Sequence, residues 1–329
     1  MSGPLSPSQA PGQAGGAAPP QGAPGAAPDA PAGVIAQADV APEAPPLAPP
    51  GPGGRGRMRD RLGAGRWSDL GRRFGWGAVL LVLGVALLLS SGMWMRLGVS
   101  AIVGLMMWEL ARLTAWRHPE FHSHPHPVLI GWLAGLVLLT MLVLPGDLPL
   151  LLVVVPVLAG LPGTQAQERA AFVLFTIAFL GAGFGLVALR EGLGLATVFW
   201  IVATVVLSDV LGYFVGRKLG GPRFWPSVSP KKTWSGTVAG WVGALLLALV
   251  LWARGLAGPA VVVLGPLVAL AGQFGDIAES WLKRRVGAKD SSALIPGHGG
   301  VMDRFDAMSG ALLFALVLML LHLLPVIGQ

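Results

Sequence analysis

From residue 74 to residue 327 the sequence is a succession of apolar runs separated by short polar segments, and this pattern leaves few folds open. A helix rising 1.5 Å per residue needs about twenty residues to cross roughly 30 Å of hydrocarbon, where every backbone polar group has to be bonded within the segment. Runs at about 74–91, 94–115, 127–144, 148–161, 170–189, 194–216, 236–252, 258–276 and 305–327 approach or reach that length. They predict an all-α, polytopic membrane bundle of about nine transmembrane helices. The fourth run is short and contains Pro156, which predicts a tilted, broken or re-entrant element and would reduce the count to eight. A soluble fold is a poor match for 329 residues of which 53% are apolar and 12% charged.

The flanks set the expected organisation. Residues 1–54 are mostly Ala, Pro and Gly, with no Lys or Arg, and predict a disordered tail. The tail has no basic segment leading into an apolar core, so it does not read as a secretory signal. Residues 55–73 form a basic juxtamembrane segment (Arg55, Arg57, Arg59, Arg61, Arg66, Arg72 and Arg73) that predicts a cytoplasmic N-terminus, and 74–329 form the membrane-embedded domain. Threading nine spans from that side puts 116–126, 162–169, 217–235 and 277–304 in the cytoplasm. The last two hold Arg217, Lys218, Arg223, Lys231, Lys232, Lys283, Arg284, Arg285, Lys289 and Arg304, whereas the outer loops carry only Arg190 and Arg254. The net charge of +7 therefore reads as membrane orientation and attraction to anionic headgroups, not nucleic-acid binding. The absence of cysteine excludes disulfides, thiolate chemistry and Cys-based zinc sites.

Polar chemistry concentrates in one place. Five of the sixteen carboxylates (Asp276, Glu279, Asp290, Asp303 and Asp306) fall within about thirty residues, interleaved with Lys283, Arg284, Arg285, Lys289 and Arg304. Carboxylate oxygens suit hard cations, and Lys and Arg neutralise phosphoryl oxygens, so the mixture points to divalent metal and phosphate held together. Asp276, Glu279, Ser280 and Lys283 follow at helical spacing and share one face. His298-Gly299-Gly300 predicts a tight turn whose main-chain N–H groups approach a nucleotide.

Upstream, Asp209 stands in an apolar run, where an ionised carboxylate costs roughly 2.5–3.5 kcal/mol on insertion scales, and is a functional candidate by default. Gly212 and Gly216 form a small-xxx-small pair that admits a second helix. Ser229, Lys231 and Lys232, at the mouth of the seventh run, are candidate phosphate contacts; no Walker A frame is present. Glu109 lies inside the second run, its role left open, and His322 reads as an isolated polar residue. His118, His122, His124 and His126 lie in a Pro-containing loop with no partner motif and read as a poor metal site.

The spacing Ser280, Lys283-Arg284, Lys289-Asp290, Ser292, Ile295, Pro296, His298-Gly299-Gly300 and Asp303-Arg304-Phe305-Asp306 closely resembles the signature of the CDP-diacylglycerol synthase (phosphatidate cytidylyltransferase) family. The resemblance covers roughly 75–327 and is sharpest over 276–306. It implies cytidylyl transfer from CTP to phosphatidic acid with release of pyrophosphate, by a multi-pass protein of a bacterial cytoplasmic membrane, with the lipid bilayer as partner and a homodimer left open. It implies magnesium, as two divalent ions or as one divalent ion with K+. Asp209, Asp276, Asp290 and Asp303 are the expected metal ligands, and Asp276, Lys283, Lys289, Asp290 and Asp303 the expected catalytic groups. Ser229, Lys231, Lys232, Ser280, Arg284, His298, Gly299, Gly300 and Arg304 are the expected substrate contacts. Ser235 stands where the family commonly has Glu or Gln and receives no catalytic role. An ion-coupled transporter is the alternative: it would account for Asp209 and the many spans, but it leaves the Lys-Asp and Asp-Arg-x-Asp stretch unexplained, and no inverted repeat is evident.

Overall fold

The computed structural model describes residues 75–115 and 126–328. The tail over 1–54, the arginine-rich segment 55–73, and His118, His122 and His124 lie outside the described residues. Nine helices are present among those described. They are α1 (Gly75–Leu89), α2 (Gly92–Thr114), α3 (His126–Val143), α4 (Val154–Gly160), α5 (Arg169–Gly192), α6 (Leu195–Leu219), α7 (Trp234–Ala253), α8 (Ala260–Arg285) and α9 (Met302–Leu320). A short antiparallel ribbon, β1 (Arg223–Trp225) and β2 (Ser229–Thr233), joins α6 to α7, with Arg223 opposite Thr233 and Trp225 opposite Ser229.

Six of these helices are long and apolar enough to cross a membrane. The other runs depart from a full span for local reasons. α1 is short, and the fourth run is assembled from 3-10 turns on either side of α4, which holds Pro156 near its start. α9 carries Asp303, Arg304 and Asp306 in its first turns and ends at Leu320 instead of reaching 327; His322 follows with a positive φ of 56°. α8 runs past the apolar stretch to Arg285, so the polar face anticipated after 276 is helical. Around the bundle large apolar side chains stay exposed, among them Trp94, Trp132, Leu174 and Leu246, as expected of a surface that meets lipid.

Two apolar cores hold the helices together. One gathers Met106, Met107, Leu110, Leu138, Phe172 and Leu180 from α2, α3 and α5, and Leu282 and Met302 join it from the ends of α8 and α9. The other gathers Ile201, Val268, Ala311 and Leu312 from α6, α8 and α9. Where helices meet without bulk between them, glycine sets the distance. On α6, Gly212 and Gly216 face Gly236 of α7, and a Cβ on Gly216 would stand 3.4 Å from the Cα of Gly236. On α9, a Cβ on Gly310 would stand 3.0 Å from the Cα of Gly275 on α8. This backbone contact brings together the residues that follow Gly275 and those that precede Gly310.

Candidate active site

Asp276 follows Gly275 on α8, and Asp306 lies one turn before Gly310 on α9, so the α8–α9 contact places their carboxylates side by side. Glu279, three residues beyond Asp276 on the same face of α8, completes a trio whose nearest oxygens all lie within 4.8 Å of one another. Glu279 is 1% exposed, and neither of its oxygens accepts a well-formed hydrogen bond among the described residues. Its nearest cation is Lys283, whose Nζ stands 3.3 Å away and 2.6 Å from Asp303. Asp276 forms an ion pair with Lys232 of β2 and accepts a 3.4 Å hydrogen bond from Ser280. Asp306 accepts from the amide of Ala307 at 2.7 Å. Asp209, exposed on α6, feels Lys232, Asp276 and Asp306 as its neighbouring charges.

A buried polar knot fixes the helices behind this group. Gln273, one turn before Asp276, accepts from Trp241 at 2.9 Å and donates to Ser208 and to the carbonyl of Thr237. α6, α7 and α8 are thus tied next to Asp209 and Asp276. The ribbon enters from the same end: Thr233 caps α7 by accepting from the amide of Gly236, and alternation along β2 turns Lys232 inward while Lys231 stays exposed.

The loop between α8 and α9 is shaped by Asp303. Its carboxylate accepts from the amide of Ser291 at 2.9 Å, the amide of Gly300 at 2.7 Å, the hydroxyl of Ser291 at 3.0 Å, and Lys283. Burial alone would raise its pKa, but the Lys283 ammonium and the two amides outweigh that and hold it at about 2. Gly299 has a φ of 86°, where a side chain is strained, and the 295–299 bridge closes the turn. The main-chain N–H of Gly300, anticipated as a nucleotide contact, is directed into the loop at Asp303.

Residues 71–322 match the cytidylyltransferase family. The chain belongs to this family. A relative from Brucella abortus named phosphatidate cytidylyltransferase is 39% identical over 223 residues, 64% of this chain and 79% of the relative. One from Staphylococcus saprophyticus, with the same name, is 37% identical over 158 residues, 47% of this chain and 58% of the relative.

Of the ligands anticipated from the sequence of this family member, Asp276 is in the convergent trio and Asp209 is adjacent to it. Asp303 is engaged with the loop amides, and Lys289 and Asp290 are exposed on the loop. Arg284 and Arg304 are exposed; Arg284 donates to the carbonyl of Ala288 at 3.4 Å and Arg304 donates to the carbonyl of His298. Ser229, Ser280, His298 and Gly299 are half-buried. Arg285 is held by Glu168 at 2.9 Å and lies over the ring of Trp281. The sequence shows Glu279 and Asp306 as part of the acidic cluster but not as partners of Asp276. Their signal was available: Glu279 follows Asp276 by three residues, and Asp306 follows Asp303 by one turn.

Proposed function

We propose that this chain transfers the cytidylyl group of CTP to phosphatidic acid, forming CDP-diacylglycerol and pyrophosphate. A phosphate oxygen of phosphatidic acid attacks the α-phosphorus of CTP; the new P–O bond forms as the bond from the α-phosphorus to the α,β-bridging oxygen breaks, and pyrophosphate leaves with that oxygen. The lipid phosphate is already anionic, so no nucleophilic side chain is required. The observation that carries this reading is the trio of Asp276, Glu279 and Asp306 bracketed by Lys232 and Lys283, in a chain of the cytidylyltransferase family.

The trio fits a hard divalent cation such as Mg2+, because it offers three oxygen ligands and because the buried Glu279 oxygens accept no well-formed hydrogen bond among the described residues. Bound there, the ion would supply positive charge to the triphosphate. Asp276, Glu279 and Asp306 would hold it, with Asp209 beside them. Lys232 and Lys283 remain as cations for phosphoryl oxygens, and Ser229, Lys231, Arg284, Lys289 and Arg304 supply an outer ring for the triphosphate and the lipid headgroup. His298 orients substrate. The polar end of the bundle faces the cytoplasm of a bacterial cell, with the N-terminus on the same side, so that soluble CTP and a bilayer lipid meet at one membrane surface.

Pyrophosphate release from CTP, followed in detergent micelles with phosphatidic acid and Mg2+, tests this reading. The intact chain is expected to require lipid and metal, and Asp276→Asn to lower turnover by about a thousandfold. Folded wild-type protein that releases no pyrophosphate would remove the assignment and return ion-coupled transport to first place.

A further inference from the structure

Glu109 is the most completely enclosed carboxylate of the described chain, at 0% exposure in the middle of the apolar helix α2. Every hydrogen bond it accepts comes from the far end of the sequence. One oxygen accepts from the Ser292 hydroxyl at 2.5 Å and the Val301 amide at 2.9 Å; the other accepts from the Ser291 hydroxyl at 3.2 Å and the Met302 amide at 2.6 Å. Each oxygen therefore takes one hydroxyl from the start of the 291–302 arc and one amide from its end. A single side chain on α2 closes both ends of the arc that contains His298, Gly299 and Gly300.

The arc leads directly to the trio. Ser291 Oγ sits between two carboxylates, 3.2 Å from Glu109 and 3.0 Å from Asp303, with one proton for both. Asp303 holds Lys283 at 2.6 Å, and Lys283 stands 3.3 Å from Glu279. The amides of Val301 and Met302 are at the head of α9, whose second turn carries Asp306. Gly300 belongs to the same device, because a Cβ there would run into Ser291 and Glu109. We infer that Glu109 is a positioning residue for cytidylyl transfer: through Ser291, Ser292 and the head of α9 it sets where Asp303, Lys283 and Asp306 stand. This inference rests on the proposed function for its kinetic consequences, but the anchoring itself does not.

An isosteric substitution gives a sharp test. Because each oxygen of Glu109 faces one backbone N–H, Glu109→Gln sets an NH2 group against an amide donor whichever way the new side chain turns. Glu109→Asp keeps two acceptors on a shorter stem, and Ser292→Ala removes one hydrogen bond while leaving the carboxylate. Rates are measured as pyrophosphate release per folded protein in phosphatidic acid micelles over a series of Mg2+ concentrations. Glu109→Gln is expected to lower kcat about 10- to 100-fold, as loss of a residue that orients functional groups does, and to raise the Mg2+ concentration for half-maximal rate. The KM for phosphatidic acid should hold. Glu109→Asp should recover part of the rate, and Ser292→Ala should shift the same two quantities less.

A Glu109→Gln protein whose folded fraction turns over at the wild-type rate with the wild-type Mg2+ requirement overturns the inference. If that variant does not fold, Ser292→Ala decides by the same criteria. Tryptic cleavage at the exposed Lys289 is measured in parallel, since it needs no activity. Faster cleavage in Glu109→Gln than in wild type supports the anchor even where wild type releases no pyrophosphate, a result that would sink the proposed function alone; equal cleavage removes the anchor.

Discussion

Two sets of buried and half-buried carboxylates lie at the polar end of this bundle, and they face opposite company. Glu109 and Asp303 accept hydrogen bonds from four amides and two serine hydroxyls between them, with Lys283 on Asp303 as well. Asp276, Glu279 and Asp306 face chiefly one another, and Glu279 is enclosed without a well-formed hydrogen bond among the described residues. Hydrogen bonds to a charged group contribute about 1.5–3 kcal/mol each, so the first set stabilises the fold as it stands. In the second, two ionised carboxylates at the 4.8 Å limit repel by about 3 kcal/mol at an effective dielectric near 20. A carboxylate surrounded by donors is already held by the fold. A cluster built round an enclosed Glu279 that accepts no well-formed hydrogen bond among the described residues favours a cation from outside, which is why we propose the trio for the metal.

The two sets should respond in opposite ways to neutralisation. Asp276→Asn, Glu279→Gln and Asp306→Asn are each expected to reduce pyrophosphate release by about a thousandfold, at the upper end for one electrostatic contact in an active site. In the presence of EDTA, however, Glu279→Gln should raise the unfolding temperature, because without a divalent ion it relieves repulsion that Lys232 and Lys283 offset only in part. Glu109→Gln should lower it. A thermal scan in which both variants lose stability in EDTA would contradict the distinction between the sets.

Much of this could be read in the sequence, and the part that could not has a physical reason. The apolar runs gave the helices because a bilayer admits little else, and 3.6-residue periodicity put Asp276, Glu279 and Lys283 on one face. The cost of a charge in an apolar run singles out Asp209. The same argument applies to Glu109, and its role stayed open only because its partners are 182 to 193 residues away. Nothing local announces that distance. Which carboxylates converge is likewise decided by the Gly275–Gly310 backbone contact, a tertiary fact: the sequence points to Asp290 and Asp303 beside Asp276, and the fold also draws Glu279 and Asp306 to it. The His298-Gly299-Gly300 turn was legible as a turn, whereas the direction of the Gly300 amide depended on where Asp303 would stand.

Gly300→Ala should have the next largest effect. The added methyl meets Ser291 and Glu109, so it disturbs the saturated set without touching a trio carboxylate. Turnover should fall about 10- to 100-fold, the range for loss of an orienting contact, with a raised Mg2+ requirement like that of Glu109→Gln. Loss of activity with an unchanged metal requirement would mean that the loop and the trio are uncoupled.

The smallest expected contrast lies within β2, where two adjacent lysines differ only in the side of the strand they occupy. Lys232 pairs with Asp276, while Lys231 is exposed on the other side of the ribbon. Lys232→Ala leaves Asp276 without its cation and removes a charge from the place where the triphosphate would lie, so the KM for CTP should rise by about tenfold, the effect of about 1.4 kcal/mol. Lys231→Ala removes the same charge from a solvated position, where an ion interaction is worth about 0–1 kcal/mol, and should change KM by no more than about fivefold. Adding salt should shrink the Lys231 effect and leave most of the Lys232 effect, because screening acts on the exposed charge first. Equal shifts in KM, equally sensitive to salt, would show that both lysines serve only as a diffuse positive surface, and the ion pair to Asp276 would then have no part in binding the nucleotide.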